Sequence, residues 1–179
     1  MRNFKVEAIV IKRINFGEAD RIITVLTEKG EKIKIKAAGV RKITSKRSSH
    51  VELLNQSLFS LYKSRGFPIL TEAQTLESFS LIKNNLLKIG FAYHVCELID
   101  ALCPENQENK IIFFLLKKTL KDLTVKANDL EIIHNFETDL LINLGFYPQD
   151  QVSENFDSVS FIEKILERKL KTKQILPQL

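Results

Sequence analysis

The 179 residues of this chain, 44% hydrophobic and 27% charged, suffice for two small domains or one medium one, and they exclude a chain too polar to fold. The net charge of +5 is unevenly placed: residues 1–80 hold 15 Lys and Arg against 8 Asp and Glu, whereas residues 81–179 hold 12 against 14. A basic first half points to a polyanionic partner, and the mildly acidic remainder to a different partner or none.

The first apolar stretch, residues 8–11, is too short for the core of a signal peptide. The longest apolar run, residues 111–116, is far short of the ~20 residues that cross a bilayer. A soluble cytoplasmic protein with no membrane partner is expected. Cys96 and Cys103 are too few for a tetrahedral zinc site and read as reduced core residues.

Residues 4–76 follow mostly a period of two. Residues 4–13 alternate around Val6, Ala8 and Val10, and Asn15-Phe16-Gly17-Glu18 forms a turn. Residues 21–27 are β-branched and apolar, and Glu28-Lys29-Gly30-Glu31 is a hairpin signal. In residues 32–37 Lys32, Lys34 and Lys36 alternate with Ile33 and Ile35, so the isoleucines are expected in a core and the lysines in one outward row. After a polar loop at 42–50, residues 53–62 and 69–76 supply two more strands. Five short strands in some seventy residues suggest a small barrel, led by the oligonucleotide-binding (OB) type, with an SH3-like barrel or a small sandwich as alternatives.

Near Ser80 the period changes to about 3.6. Ile82, Leu86, Ile89, Tyr93, Cys96, Ile99 and Cys103 are expected to lie on one stripe of a long helix ending before Pro104, with Gly90 a weak point. A second helix is expected over residues 109–125, its block 111–116 apolar all round and therefore central and buried. A third starts at the N-cap candidate Asn128, carries Ile133, Phe136, Leu140 and Leu144 on one face, and stops at Gly145 before Pro148. After a polar stretch at 149–157, a last helix starts at Ser158 with Val159, Ile162, Leu166 and Leu170 on one face. The fold class is thus α+β: a five-stranded barrel domain over residues 1–79, then an all-α domain of about four helices over residues 80–179.

The functional signal is the run from Lys32 to Arg47, which contains no acid. Gly39 lets the chain leave the strand sharply and bring Arg41, Lys42, Lys46 and Arg47 round to the side of the strand lysines. Such a surface neutralises phosphates, and the hydroxyls of Thr44, Ser45, Ser48 and Ser49 can add hydrogen bonds to them. A solvated loop with no ligand is the plain alternative. Phe16, Phe59, Tyr62 and Phe67 are candidate stacking platforms or core residues. Glu18 and Asp20 beside Arg21 read as a local ion pair or a turn hydrogen bond. His50, His94 and His134 are scattered, and His94 and Cys96 point about 200° apart on a helix. No nucleophile with a base, phosphate-binding glycine loop or metal-ligand cluster stands out, so no enzyme is expected.

The chain resembles the bacterial recombination mediator family RecO. The resemblance is carried by Val6-Glu7-Ala8-Ile9-Val10-Ile11, by Asn15-Phe16-Gly17-Glu18-Ala19-Asp20-Arg21-Ile22-Ile23-Thr24, and by Thr27-Glu28-Lys29-Gly30. It continues through Ala38-Gly39-Val40-Arg41-Lys42, Leu70-Thr71-Glu72-Ala73, Phe136-Glu137 and Leu144-Gly145-Phe146-Tyr147-Pro148. It implies an OB-fold domain that binds single- and double-stranded DNA, a helical domain that receives the C-terminal tail of SSB, and location in the bacterial cytoplasm at the nucleoid. It also implies action without covalent chemistry: annealing complementary strands and, with RecR, assisting RecA onto SSB-covered single strands. Many members carry a four-cysteine zinc module after the Gly-aromatic-x-Pro segment, whereas residues 149–157 here contain no cysteine, so no zinc or other cofactor is expected.

Arg21, Lys32, Lys34, Lys36, Arg41, Lys42, Lys46 and Arg47 are the expected DNA contacts, and Arg21, Arg41 and Lys42 also lie in the family motifs. Phosphate tracking alone does not separate DNA from RNA, so an OB-fold RNA-binding module is one alternative. A protein adaptor working through its helical domain is the other, and a nuclease is the least favoured rival.

Overall fold

The structure is a computed structural model and describes residues 3–151, 153 and 156–176. Its contacts divide the chain into two compact units: residues 1–78 with 105–110, and residues 79–104 with 111–179.

The first unit is a closed barrel of β1 (Asn3–Phe16), β2 (Asp20–Thr27), β3 (Lys32–Ala37), β4 (Gln56–Tyr62) and β5 (Ile69–Glu77), in the spatial order β1-β2-β3-β5-β4. β4 pairs with β1 to close it, and a short parallel contact at Lys36 and Ile69 joins β3 to β5. Closure removes the free strand edges on which other chains could pair. This is the OB arrangement, which excludes the SH3-like barrel and the sandwich. β1 is long enough to pair with both β2 and β4 because a register shift between Val10 and Lys12 bends it round the barrel. Inside lie Ala8, Val10, Ile23, Val25, Ile35, Ala37, Val40, Val51, Phe59, Leu61 and Leu70. Each fully buried aliphatic or Phe side chain contributes about 1.5–3 kcal/mol.

The expected alternation in β3 holds only in part. Ile35 is buried, but Ile33 and Lys34 are both half-buried and Lys32 is 5% exposed. The cause is residues 105–110, which run beside this strand: Lys32 bridges to Glu105, and the Asn106 N–H donates to the Lys32 carbonyl at 3.1 Å. The neighbouring hairpin turn is equally close, since a Cβ on Gly30 would lie 1.7 Å from the Asn109 carbonyl oxygen. Only glycine permits that approach, and its φ of +76° independently favours glycine.

The second unit comprises α1 (Ser80–Lys83), α2 (Leu86–Leu102), α3 (Lys110–Val125, apart from Lys110 itself), α4 (Asp129–Asn143), α5 (Ser158–Leu166) and α6 (Lys171–Ile175). The long first helix of the sequence reading is two helices. Asn85 interrupts it, and its side chain accepts hydrogen bonds from the Leu87 and Lys88 N–H groups to start α2. The buried face of α2 is consequently broader than a single stripe: Phe91, Ala92, Val95, Cys96, Leu98, Ile99 and Leu102 are inside, while Leu86 and Tyr93 are exposed. Gly90 is a packing position, because Leu176 occupies the space 3.0 Å from where a Cβ would stand. Cys96 and Cys103 are buried and not joined in a disulfide, and burial pushes the Cys96 thiol up to about 12.

In α3 the apolar block is not buried all round. Ile112, Phe113 and Leu116 face the core, whereas Ile111 and Phe114 are exposed, because only one side of the helix is packed. α4 begins as expected at Asn128, whose side chain accepts from the Glu131 N–H, and ends at Gly145 with φ +77°. The last helix is broken at Glu167, which adopts φ +53°, so Leu170 is buried ahead of α6 rather than along α5. Glu97 fastens α6 to α2 by accepting from the Lys171 and Thr172 N–H groups at 3.0 and 2.9 Å. Of the polar stretch 149–157, residues 152, 154 and 155 lie outside the described residues.

Candidate nucleic-acid interface

Strand register decides which side chains share the outer face of β1, β2 and β3. Ile23 and Ile35 point into the core, so their neighbours Ile22, Lys34 and Lys36 point outward. Pairing then lays Ile14, Ile22 and Lys36 in one row, Lys12, Thr24 and Lys34 in the next, and Ile9, Leu26 and Lys32 in a third. The third row is buried. In the second, the Lys34 ammonium is 2.5 Å from Glu105 Oε1. The first row lies next to the last pair of the β1–β2 ladder, where Lys36 Nζ is 5.5 Å from the centroid of the exposed Phe16 ring and 3.2 Å from Asp20 Oδ2.

The loop after β3 is rooted at the same end. Gly39 has φ +66°, and its N–H donates to Asp20 Oδ1 at 2.8 Å. That hydrogen bond, followed by the one from Lys36, holds the Asp20 carboxyl below its usual range. The Arg41 N–H reaches the Ala19 carbonyl at 2.9 Å and its guanidinium donates to the Gly17 carbonyl at 3.1 Å. The loop is thereby tied to the β1–β2 turn. Beyond this root Arg41, Lys42, Ile43 and Lys46 are exposed, and Lys42 and Lys46 form no ion pair or side-chain hydrogen bond among the described residues.

The eight expected cations are therefore not one continuous row. Arg41, Lys42 and Lys46 share the exposed loop, with Lys36 beside its root. Lys34 and Lys36 already hold carboxylates. Arg21 is half-buried, and Glu52 ties it to Arg13. Arg47 turns inward and donates to the Leu70 and Ala38 carbonyls at 2.6 and 2.7 Å, which anchors the loop rather than extending it. Lys32 is buried. Sequence reasoning missed Glu52 and Glu105 as partners of these cations; both are distant in sequence and no local pattern signals either. The juxtaposition of Phe16 and Lys36 was equally hidden, since it requires the register of three strands.

In the second unit, His94 meets Thr172 Oγ1 and Glu137 Oε1 at 2.7 Å each, and Ser158 donates to Glu137 Oε2 at 2.5 Å. Glu137 stands between the serine and His94, so Ser158 donates its hydrogen bond to a carboxylate and does not meet that imidazole, while its oxygen also lies 3.3 Å from His134 Nδ1. The arrangement joins four helices and is structural. No group of three or more His, Cys, Asp or Glu placed to hold a metal occurs among the described residues, and no helix there is long and apolar enough to cross a membrane.

A closed OB-type barrel with a basic, aromatic end, followed in sequence by a helical unit, defines the class: an OB-fold protein with a C-terminal helical domain. The chain belongs to the RecO family. A family model described as "Recombination protein O N terminal" matches residues 1–79, and one described as "Recombination protein O C terminal" matches residues 83–153. Similar relatives include "DNA repair protein RecO" of Roseiflexus sp. (strain RS-1), 37% identical over 83% of this chain and 52% of the relative. The protein of the same description from Dehalococcoides mccartyi (strain ATCC BAA-2100 / JCM 16839 / KCTC 5957 / BAV1) is 37% identical over 82% of this chain and 58% of its own length. That from Listeria monocytogenes serotype 4b (strain CLIP80459) is 30% identical over 80% and 56%. The chain spans little more than half the length of these relatives.

Proposed function

We propose that this chain is a DNA-binding recombination mediator that works by association, without covalent chemistry. Its barrel binds single- and double-stranded DNA, screens the repulsion between two strands and so lets complementary bases meet. The observation that carries this reading is the exposed cationic loop of Arg41, Lys42 and Lys46, rooted at the β1–β2 turn beside Lys36 and Phe16. Phosphate neutralisation by such a group releases counterions and drives binding. Family membership supports DNA over RNA as the polyanion.

Charge reversal of Arg41 and Lys42 to Glu tests the reading in an annealing assay with complementary oligonucleotides. Loss of annealing with an unchanged thermal midpoint supports it; full annealing by the variant removes this surface from the account. Because Arg41 also holds the Gly17 carbonyl, the pair Lys42→Glu and Lys46→Glu serves as the structurally quieter control.

RecR, the C-terminal tail of SSB and, through them, RecA belong to the same proposal. For the tail, α3 offers a stripe of Ile111, Phe114, Lys118, Lys121 and Val125, all exposed and spaced three or four apart. Apolar and cationic side chains on one helix face suit an acidic, apolar peptide. Phe114→Ala with Lys118→Glu is expected to abolish binding of a labelled tail peptide, and unchanged binding would move the site elsewhere.

A further inference from the structure

The four candidate stacking platforms named from the sequence have different fates. Phe59 is fully buried and Tyr62 half-buried, while Phe67 in the β4–β5 turn and Phe16 at the end of β1 are 46% and 53% exposed. Phe16 has a cation over its ring, Lys36 at 5.5 Å, and it shares an outer face with the exposed Ile14 and half-buried Ile22.

We propose that Phe16 is a stacking platform for a nucleobase of single-stranded DNA. The proposal rests on the DNA-binding reading above and adds to its phosphate contacts a site for a base. Bases stack on exposed aromatic rings without regard to sequence, which suits a protein that must accept any strand. The platform is fixed: Phe16 is cross-strand partner to Asp20 in the last pair of the β1–β2 ladder, and the next carbonyl, that of Gly17, is held by Arg41. Cations for phosphate lie near it, with the Arg41 guanidinium held at the carbonyl of the next residue, Gly17. Lys36 reaches over the ring, and Arg41 and Lys42 follow Gly39, whose N–H is bound by Asp20. The Asp20 carboxylate faces this surface, but Lys36 and the Gly39 N–H occupy its two oxygens, which blunts its repulsion of phosphate.

The chain has no tryptophan, so Phe16→Trp introduces a single indole reporter at the platform. The full chain carrying it is titrated with oligothymidylate and with an abasic oligonucleotide of equal length and phosphate number. Indole fluorescence is expected to be quenched by the first and not by the second. Phe16→Ala and Phe16→Leu are each expected to weaken oligothymidylate binding by roughly 5- to 150-fold, the range for loss of one stacked base, and to leave abasic binding unchanged. Wild-type affinity in Phe16→Ala, equal quenching by both oligonucleotides, or full retention by Phe16→Leu overturns the platform while leaving phosphate binding intact. Failure of the wild-type chain to bind either oligonucleotide overturns the DNA-binding reading, and the platform with it.

Discussion

Lys34 and Glu105 are in contact at 2.5 Å although 71 positions separate them, and this pair sets how much of the β3 charge is available to a polyanion. Glu108 does the same for Lys29 at 3.6 Å. Both acids lie in the segment that runs with the barrel, so a phosphate arriving at β3 must compete with a carboxylate already there. Replacing Glu105 by Gln releases Lys34 and is expected to tighten single-strand binding by a few fold at low salt, as for an exposed pair of about 0.2–1 kcal/mol. Fluorescence anisotropy checks this, and a loss of affinity would show that Glu105 orders the surface rather than masking it.

Gly30 is expected to be intolerant of change. In Gly30→Ala the new methyl group meets the Asn109 carbonyl and the residue must hold φ +76°, which alone costs an L-residue about 1–2 kcal/mol. Urea denaturation is expected to show at least that loss. A neutral substitution would mean that residues 105–110 are free to leave the hairpin.

The buried His94 and Glu137 pair makes a larger demand. His94→Ala leaves the Glu137 carboxylate without one of its two partners in a site that is 2% exposed, and breaking such a pair typically costs about 3–5 kcal/mol. Chemical unfolding monitored by helical circular dichroism measures it. DNA affinity of the surviving folded fraction is expected to be unchanged, since the pair lies in the helical unit.

Acid is expected to loosen the last helix. Burial raises the Glu97 carboxyl, but the Lys171 and Thr172 N–H groups, the Thr172 hydroxyl and Arg168 together bring it below its usual value. At Glu163 the Lys169 ammonium and then the Leu170 N–H outweigh burial in the same direction. A carboxyl depressed in the folded state binds fewer protons there than in the unfolded chain. Its stabilisation is therefore complete above the ordinary glutamate value of about 4.3 and is lost as pH falls through the folded value. Protection of the α6 amides, taken as the exchange rate relative to the intrinsic rate at each pH, is expected to fall below about pH 4.3, and Glu97→Gln is expected to flatten that dependence. Protection that does not change with pH in this range would refute the assignment.

The barrel was legible because residues 4–76 follow mostly a period of two between clear turns. Residues 32–37 were bounded exactly as β3 is, and the glycines at 30, 39 and 145 fall at backbone turns with positive φ. The helical boundaries at Asn128 and Gly145 were legible for the same reason, as both are local cap chemistry. What the pattern could not reveal were events set by distant residues: Lys32 buried beside residues 105–110, Arg47 turned onto carbonyls, and Ile111 and Phe114 left outside on α3. Asn85 was readable in principle, since an Asn before an apolar run is an N-cap signal, but the continuous periodicity across it hid the break.

The central claim is that the loop of Arg41, Lys42 and Lys46 holds DNA phosphates, and a salt titration of single-strand affinity tests it most directly. For wild type, the logarithm of the association constant is expected to fall linearly with the logarithm of salt concentration, by about 0.7 for each phosphate neutralised. Lys42→Glu with Lys46→Glu is expected to bind more weakly and with a shallower slope. Binding that ignores salt, or a variant whose slope and affinity match wild type, would contradict the account.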